Sequence, residues 1–467
     1  MPPEKPVFYA DGTRLTANVV DYGDGATQFL SWHDAMLDLD CRFQTFTTGD
    51  IACIPDAGDA STYFADAGCT EPLMAVFDPD GCVQVSYATI AGASPTCDNP
   101  NPQGAPDSAA FGGVRAVTTK YVGATVFQKS GPSCVSQAAP PNLTLYETGS
   151  VVPLSTFVQA TQAKEPRGDK MSEGVLVGSD GSWQIRRPFS GDSPCALRSV
   201  ALPSGAVQAC LPIFSGAIDH TPLFTDAACG MAYGTPVALA KANLCEDPAF
   251  ILDKTVDANG CTTSEVLLAP GAPTTLPALF SGSPVTCSPY AQGMTTAYAA
   301  GAPLDPLATF GEPLALELGT GRIHAAFYGT ALDEALASPH AFIDTMTSAR
   351  CAAVRFDDQT VRCVDAATAT PSAFADAACT TPLVVHTPST CSPAPAPTQA
   401  LVPSAAPGCS PIRAASGVAK LDSYAGPSFK RSGAQCVAFV PPAGAQLFGL
   451  GAAVDVTAYA AVDLVTH

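Results

Sequence analysis

Hydrophobic and polar positions alternate over short stretches along most of the chain, and almost no window carries the three-to-four-residue spacing of an amphipathic helix. Runs rich in β-branched and aromatic residues occur at 14–20, 118–128, 174–177, 183–187, 322–328 and 361–364, each bounded by Gly, Pro, Asp or Ser clusters. The one helix candidate, 330–337, lies between turn-formers and is expected to make one or two turns. The low-charge stretch 444–465 contains Asp455, Thr457 and Asp463 and alternates in short runs, so it predicts strands rather than a membrane helix. The pattern is that of an all-β protein with no transmembrane segment.

Internal repetition decides the organisation. The cysteines fall into three sets of six: Cys41, Cys53, Cys69, Cys82, Cys97 and Cys134; Cys195, Cys210, Cys229, Cys245, Cys261 and Cys287; Cys351, Cys363, Cys379, Cys391, Cys409 and Cys436. First members stand 154 and 156 residues apart. An aspartate precedes the third cysteine of each set by three residues, as Asp66, Asp226 and Asp376. A second signature follows the sixth cysteine, an aromatic, a glycine and a further aromatic: Tyr146/Gly149/Phe157, Tyr298/Gly301/Phe310 and Phe448/Gly451/Tyr459. Regular spacing without any Cys-x-x-Cys pair points to disulfides rather than thiolate metal sites or redox motifs.

Local geometry favours a sequential pairing in each set, first with second, third with fourth, fifth with sixth. Turn chemistry lies midway between the first two cysteines every time, in Thr47-Thr48-Gly49-Asp50, Leu202-Pro203-Ser204-Gly205 and Phe356-Asp357-Asp358-Gln359. Each such bridge staples a hairpin, worth roughly 2–4 kcal/mol in the chain-entropy model.

Three modules follow, at 1–170, 171–320 and 321–467. Each divides into the first four cysteines with the aspartate signature and the last two with the aromatic signature. Six half-modules of about 78 residues leave room for four strands each. The expected fold is a six-bladed β-propeller of three two-blade modules, with three tandem β-sandwich domains as the alternative. Boundaries are placed at 162–174 and 319–321, and the Pro-rich stretch 392–407 falls inside the third module.

Charge and chemistry narrow the function. Acidic residues outnumber basic ones 42 to 22, and no Lys/Arg cluster occurs, which argues against nucleic acid and anionic lipid surfaces. The first ten residues lack the basic and apolar regions of an export signal. An oxidising compartment is nevertheless implied by the cysteines, so the chain is expected to be an extracytoplasmic protein whose signal has been removed. The six histidines occupy no equivalent positions, and no HExxH, GxSxG, Walker or GxGxxG motif occurs. Trp32-His33-Asp34 is the one local cluster of catalytic residue types. Neighbours on a strand face opposite ways, so Trp32 is read as core and His33 as surface.

Asp66, Asp226 and Asp376 are read as Asx-type turns that fix the entry to a cysteine loop. They are also calcium candidates, with Asp78-Pro79-Asp80-Gly81 as a loop that could contribute; no other cofactor is expected. The repeated aromatics suit core packing better than sugar stacking.

The pattern of Trp32-His33-Asp34 before Cys41, the Tyr63-to-Leu73 run with its Asp66 and Cys69, and the closing Gly-x-x-Val-Pro-x-x-x-Phe-Val (149–158) resembles uncharacterised secreted cysteine-repeat proteins of myxobacteria-type predatory bacteria. The resemblance implies an extracytoplasmic, all-β repeat protein and carries no activity with it. The second module departs from the pattern: its Arg186 and Pro188 stand at the distance from the first cysteine that Phe342 and Asp344 keep in the third. The expected function is a non-catalytic secreted or envelope protein that binds an unknown ligand or partner on a propeller face. The alternatives are a hydrolase built from distant carboxylates and a filament-forming surface protein.

Overall fold

A computed structural model of the chain describes residues 8–23, 26–55, 58–76, 85–91, 111–131, 133–140, 143–167, 170–202, 205–212, 216–217, 223–231, 237–241, 248–256, 261–274, 279–281, 286–290, 295–329, 339–389, 391, 395–404, 412–432 and 435–466. The fold is all-β. Pro306–Phe310 is the single α-helix among the described residues. The helix candidate at 330–337 and the Asp78–Gly81 loop lie outside them.

Each repeat opens with a four-stranded antiparallel meander. In the first it runs Leu15–Asp21, Thr27–Asp34, Leu39–Thr45, Ile51–Pro55. In the second it runs Met171–Gly178, Trp183–Ser190, Ser193–Leu202, Gly205–Pro212, and in the third Ile323–Gly329, Ala341–Asp344, Ala349–Phe356, Val361–Asp365. The last two strands of each meander form the hairpin that the first two cysteines staple: Cys41–Cys53, Cys195–Cys210 and Cys351–Cys363.

The remainder of each repeat folds into a second sheet. In the first repeat its order is Ser133–Ala138, Thr125–Ser130, Gly58–Phe64, Pro72–Val76, Thr144–Val152, Phe111–Lys120, Tyr87–Ala91. The third repeat reproduces it as Gln435–Ala438, Phe429–Ser432, Ala373–Phe374, Pro382–His386, Gln446–Val454, Arg413–Tyr424, Gln399–Pro403. In the second repeat the same order appears in two pieces, Ser288–Pro289, Phe280–Ser281, Leu223–Phe224 and then Val237–Lys241, Thr295–Leu304, Thr262–Thr274, Ile251–Val256.

The structure corrects two sequence expectations. The repeat divides after its second cysteine, not its fourth, because the third and sixth cysteines belong to one sheet. The run at 118–128 is not one strand: Phe111–Lys120 ends and Thr125–Ser130 begins around an exposed Val122. At the boundary placed at 162–174, Gln159–Arg167 pairs with Met171–Gly178 along its length.

Ladders also run across the repeats. Gln159–Arg167 joins Ile51–Pro55 to Met171–Gly178. Ala460–Val465 joins Val361–Asp365 to Leu15–Asp21, so the last strand of the chain meets its first meander. Leu314–Leu318 pairs with Ile323–Gly329, and no ladder ties it back to Gly205–Pro212 among the described residues. Gly311, at φ 89°, and Pro313 explain the difference. Counting from Phe157 and Phe310, they stand where Val158 and Ala160 stand in the first repeat, and proline has no N–H to donate. Neither a closed barrel nor a closed propeller is seen among the described residues.

The meanders are covered on both faces, which is why their strands read as continuous apolar runs. All five residues of Ile51–Pro55 are buried. Ile51 and Cys53 face a core with Leu15, Trp32 and Val158, while Ala52 and Ile54 face Val114 and Phe157 toward the second sheet. The third repeat does the same, with Val361 and Cys363 on one side and Val354, Val364 and Leu401 on the other.

Residues 8–10 sit where the three repeats meet. Tyr9–Ala10 pairs with Gln184 and Trp183 of the second repeat. Phe8 packs edge-on against Phe327 of the third at 5.6 Å, and Tyr9 lies against Phe29 and Trp32 of the first.

Candidate functional site

The loop before each third cysteine is built the same way three times. A backbone bond closes it: Ala65 donates to the Glu71 carbonyl at 2.9 Å, Thr225 to Met231 at 2.9 Å and Ala375 to Thr381 at 2.8 Å. Inside it, the aspartate carboxylate accepts from the N–H groups two, four and five residues on. For Asp66 these are Gly68, Thr70 and Glu71 at 3.0, 2.8 and 2.7 Å, with the Thr70 hydroxyl adding a fourth donor at 2.8 Å. Asp226 accepts from Ala228, Gly230 and Met231, and Asp376 from Ala378, Thr380 and Thr381.

These donors stabilise the ionised form. The Glu71 N–H holds the Asp66 carboxyl below the ordinary aspartate value, and the Gly230 N–H does so for Asp226. Burial opposes ionisation of Asp376, yet the Thr381 and Thr380 donors outweigh it and draw the group down to about 2. Each aspartate carbonyl also accepts from the cysteine N–H at 3.1 Å. That cysteine takes a left-handed φ of 52° in Cys69 and Cys229 and 54° in Cys379, a conformation L-residues adopt at a cost. The aspartate bonds and a disulfide hold it there.

The disulfide is where sequence reasoning went wrong. The third cysteine is bonded to the sixth, as Cys69–Cys134, Cys229–Cys287 and Cys379–Cys436, and the sequential pairing of third with fourth and fifth with sixth does not occur for these residues. The reason is sheet register. The strand entering the aspartate loop lies beside the strand leading to the sixth cysteine, with Phe64 opposite Phe127, Phe224 opposite Phe280 and Phe374 opposite Phe429. A readable signal existed: Phe-x-x-Ser-x-x-x-Cys recurs as Phe127/Ser130/Cys134, Phe280/Ser283/Cys287 and Phe429/Ser432/Cys436. Lys129 over Phe64 and Arg431 over Phe374 add a cation–π contact at equivalent positions. Cys261 is bonded to Cys391, fifth of the second set to fourth of the third. Cys82, Cys97, Cys245 and Cys409 lie outside the described residues.

Trp32 is fully buried and donates to Gln184 Oε1 at 2.6 Å, tying the first repeat to the second. His33, on the opposite face, lies 3.2 Å from Asp40 and 3.7 Å from Asp38. Asp34, which the sequence placed in a catalytic-looking cluster, is bound by Arg14, whose Nη2 also donates to the Thr156 carbonyl at 2.9 Å. Arg322, Asp344 and Ala458 repeat the arrangement. Register puts Lys170 and Ser190 at these places in the second repeat, because Met171 opposes Ser190 as Leu15 opposes Asp34. The element compared from sequence at Arg186 and Pro188 is therefore shifted by two residues, since the turn after Ser190 is two residues shorter.

Other buried carboxylates are likewise paired, Glu173 with Arg167 at 2.9 Å and Glu265 with Arg198 at 2.7 Å. Of the repeated aromatics, Phe157, Tyr298 and Phe310 are buried, and Tyr146 packs against the cluster of Met74, Val76 and Ala88. Among the described residues no group of three or more His, Cys, Asp or Glu side chains is placed to hold a metal ion, and no helix is long and apolar enough to cross a membrane.

A model described as "Family of unknown function (DUF7481)" matches residues 7–310, which take in the first two cysteine sets, and the chain belongs to that family. No curated protein and no solved structure matches it.

Proposed function

We propose that this member of an uncharacterised family is an extracytoplasmic, non-catalytic scaffold that presents its three stapled aspartate loops to a ligand or partner. The threefold copy of one loop supports the reading. Its carboxylate is turned inward, its cysteine is anchored, and the small residues at its tip, Ala67 and Gly68, Ala227 and Ala228, Ala377 and Ala378, are exposed. A loop fixed this firmly loses little conformational entropy on binding. Three copies on one chain suit a ligand that itself repeats, through the gain in effective concentration. The seven disulfides among the described residues support placement in an oxidising compartment, as in secretion or display at the cell envelope.

In this reading the three aspartate loops, carried by the second sheet of each repeat, take the place of the propeller face expected from sequence. Calcium is not required for this reading, since backbone donors already occupy the carboxylate oxygens. The carboxylate-hydrolase alternative loses ground for a specific reason: the buried Asp34, Asp344, Glu173 and Glu265 are each ion-paired with an arginine, and Arg322 holds the Asp344 carboxyl below the ordinary aspartate value, the reverse of the raised pKa a general acid needs.

Binding of the labelled chain to a glycan array, peptidoglycan sacculi and intact bacterial cells tests the proposal. Binding that weakens when Ala67, Ala227 and Ala377 are each changed to Glu supports it. Retention of nothing on any surface, or retention indifferent to those changes, removes it.

A further inference from the structure

Six of the described bridges recur in register and stay within one repeat. Cys261–Cys391 does neither: it spans 130 residues and joins the second sheet of the second repeat to that of the third. Cys261 precedes the strand Thr262–Thr274, and Cys391 follows Pro382–His386. The ladders of both sheets otherwise stay inside their own repeats among the described residues. The bridge also differs in access. The hairpin cysteines are 0–6 % exposed and the third cysteines 2–4 %, while their partners, the sixth cysteines Cys134, Cys287 and Cys436, are only partly exposed. Cys261 is buried at 7 %, whereas Cys391 lies in the exposed class.

We propose that Cys261–Cys391 is a redox-responsive clasp that sets how the second and third repeats sit against each other. Thiol–disulfide exchange needs a thiolate to reach one sulfur in line with the bond, and exposed bridges are the reducible ones. A thiolate of a small dithiol attacks Cys391 Sγ. The Cys261 sulfur leaves as thiolate and takes up a proton. The reagent's second thiol then displaces the Cys391 sulfur, so the dithiol is oxidised to its own disulfide and two protein thiols result. Opening the clasp frees the longest covalent loop in the described set, while the in-register bridges keep each sheet closed. This inference stands apart from the identity of any bound partner.

The intact chain is treated under native conditions with graded dithiothreitol, trapped with iodoacetamide, digested and mass-mapped, with small-angle scattering on parallel samples. Cys261 and Cys391 are expected to be alkylated at a reductant concentration at least tenfold below that needed for Cys41, Cys53, Cys351 or Cys363, and the radius of gyration to rise at that step. The double variant Cys261→Ser, Cys391→Ser is expected to show the larger radius without reductant. Three results would each overturn the proposal: co-reduction with the hairpin bridges, alkylation of Cys261 and Cys391 before any reductant is added, or scattering that stays unchanged once they are opened.

Discussion

Arg14 grips Asp34 through two parallel hydrogen bonds, Nε to Oδ1 at 2.7 Å and Nη2 to Oδ2 at 2.6 Å. Asp34 is fully buried, and the Met36 and Leu37 N–H groups also donate to its Oδ1. The same arginine bonds the Thr156 carbonyl, which ties the first meander to the turn that leads into the next repeat.

Replacing Arg14 by Ala leaves a buried carboxylate without its partner, and a loss of about 3–5 kcal/mol is expected from denaturant unfolding. Adding Asp34→Ser, which copies the Ser190 found in the second repeat, should recover more than half of the loss. Equal loss in the single and double variants would show that packing, not charge, is at stake.

Acid should weaken the fold between about pH 4 and pH 2. The Asp66, Asp226 and Asp376 carboxyls, and Asp344 beside Arg322, all titrate below their unfolded value in the native state. The unfolded chain therefore takes up protons first as pH falls, and the stabilisation, complete above the unfolded value, drains away through the folded one. Chemical denaturation at a series of pH values checks this. The variant Asp376→Asn should flatten the slope in that window, and an unchanged slope counts against the loop's role.

Losing a long-loop bridge should cost more than losing a hairpin bridge. The Cys69–Cys134 loop of 65 residues is worth about 4 kcal/mol in chain entropy, against about 3 kcal/mol for the 12-residue Cys41–Cys53 loop. Urea midpoints of the paired Cys→Ser variants test the order. Hairpin variants as damaging as long-loop ones would point to packing around the buried Cys41 and Cys53.

Chelation should do nothing to the thermal midpoint. With the carboxylate oxygens of the three loops accepting backbone bonds, unfolding in millimolar EDTA and in millimolar calcium is expected to coincide. A calcium-dependent rise confined to wild type and lost in Asp66→Asn would reverse this.

The threefold plan, the dominance of strands and the stapled hairpins were legible, because the turn residues between first and second cysteines and the spacing of Asp66, Asp226 and Asp376 are local features. The third-to-sixth pairing was not read, since it depends on Phe64 finding Phe127, a contact between strands far apart in sequence. Its trace in the sequence is the repeated Phe-to-Cys spacing of seven. The second repeat misled for a different reason: its shorter turn after Ser190 shifts the count from Cys195, so distance from a cysteine stopped reporting position in the sheet. The Asp34 clamp was hidden because Arg14 lies 20 residues earlier, in the bend just before the neighbouring strand Leu15–Asp21.

The pairing of Ala460–Val465 with Leu15–Asp21 has a kinetic meaning. Val19 lies opposite Val465, 446 residues further along, so this ladder closes only when two segments joined by a very long loop find each other. Pairing at such separation is slow, which predicts slow maturation and an interval in which the edge of Leu15–Asp21 is open to other polypeptides.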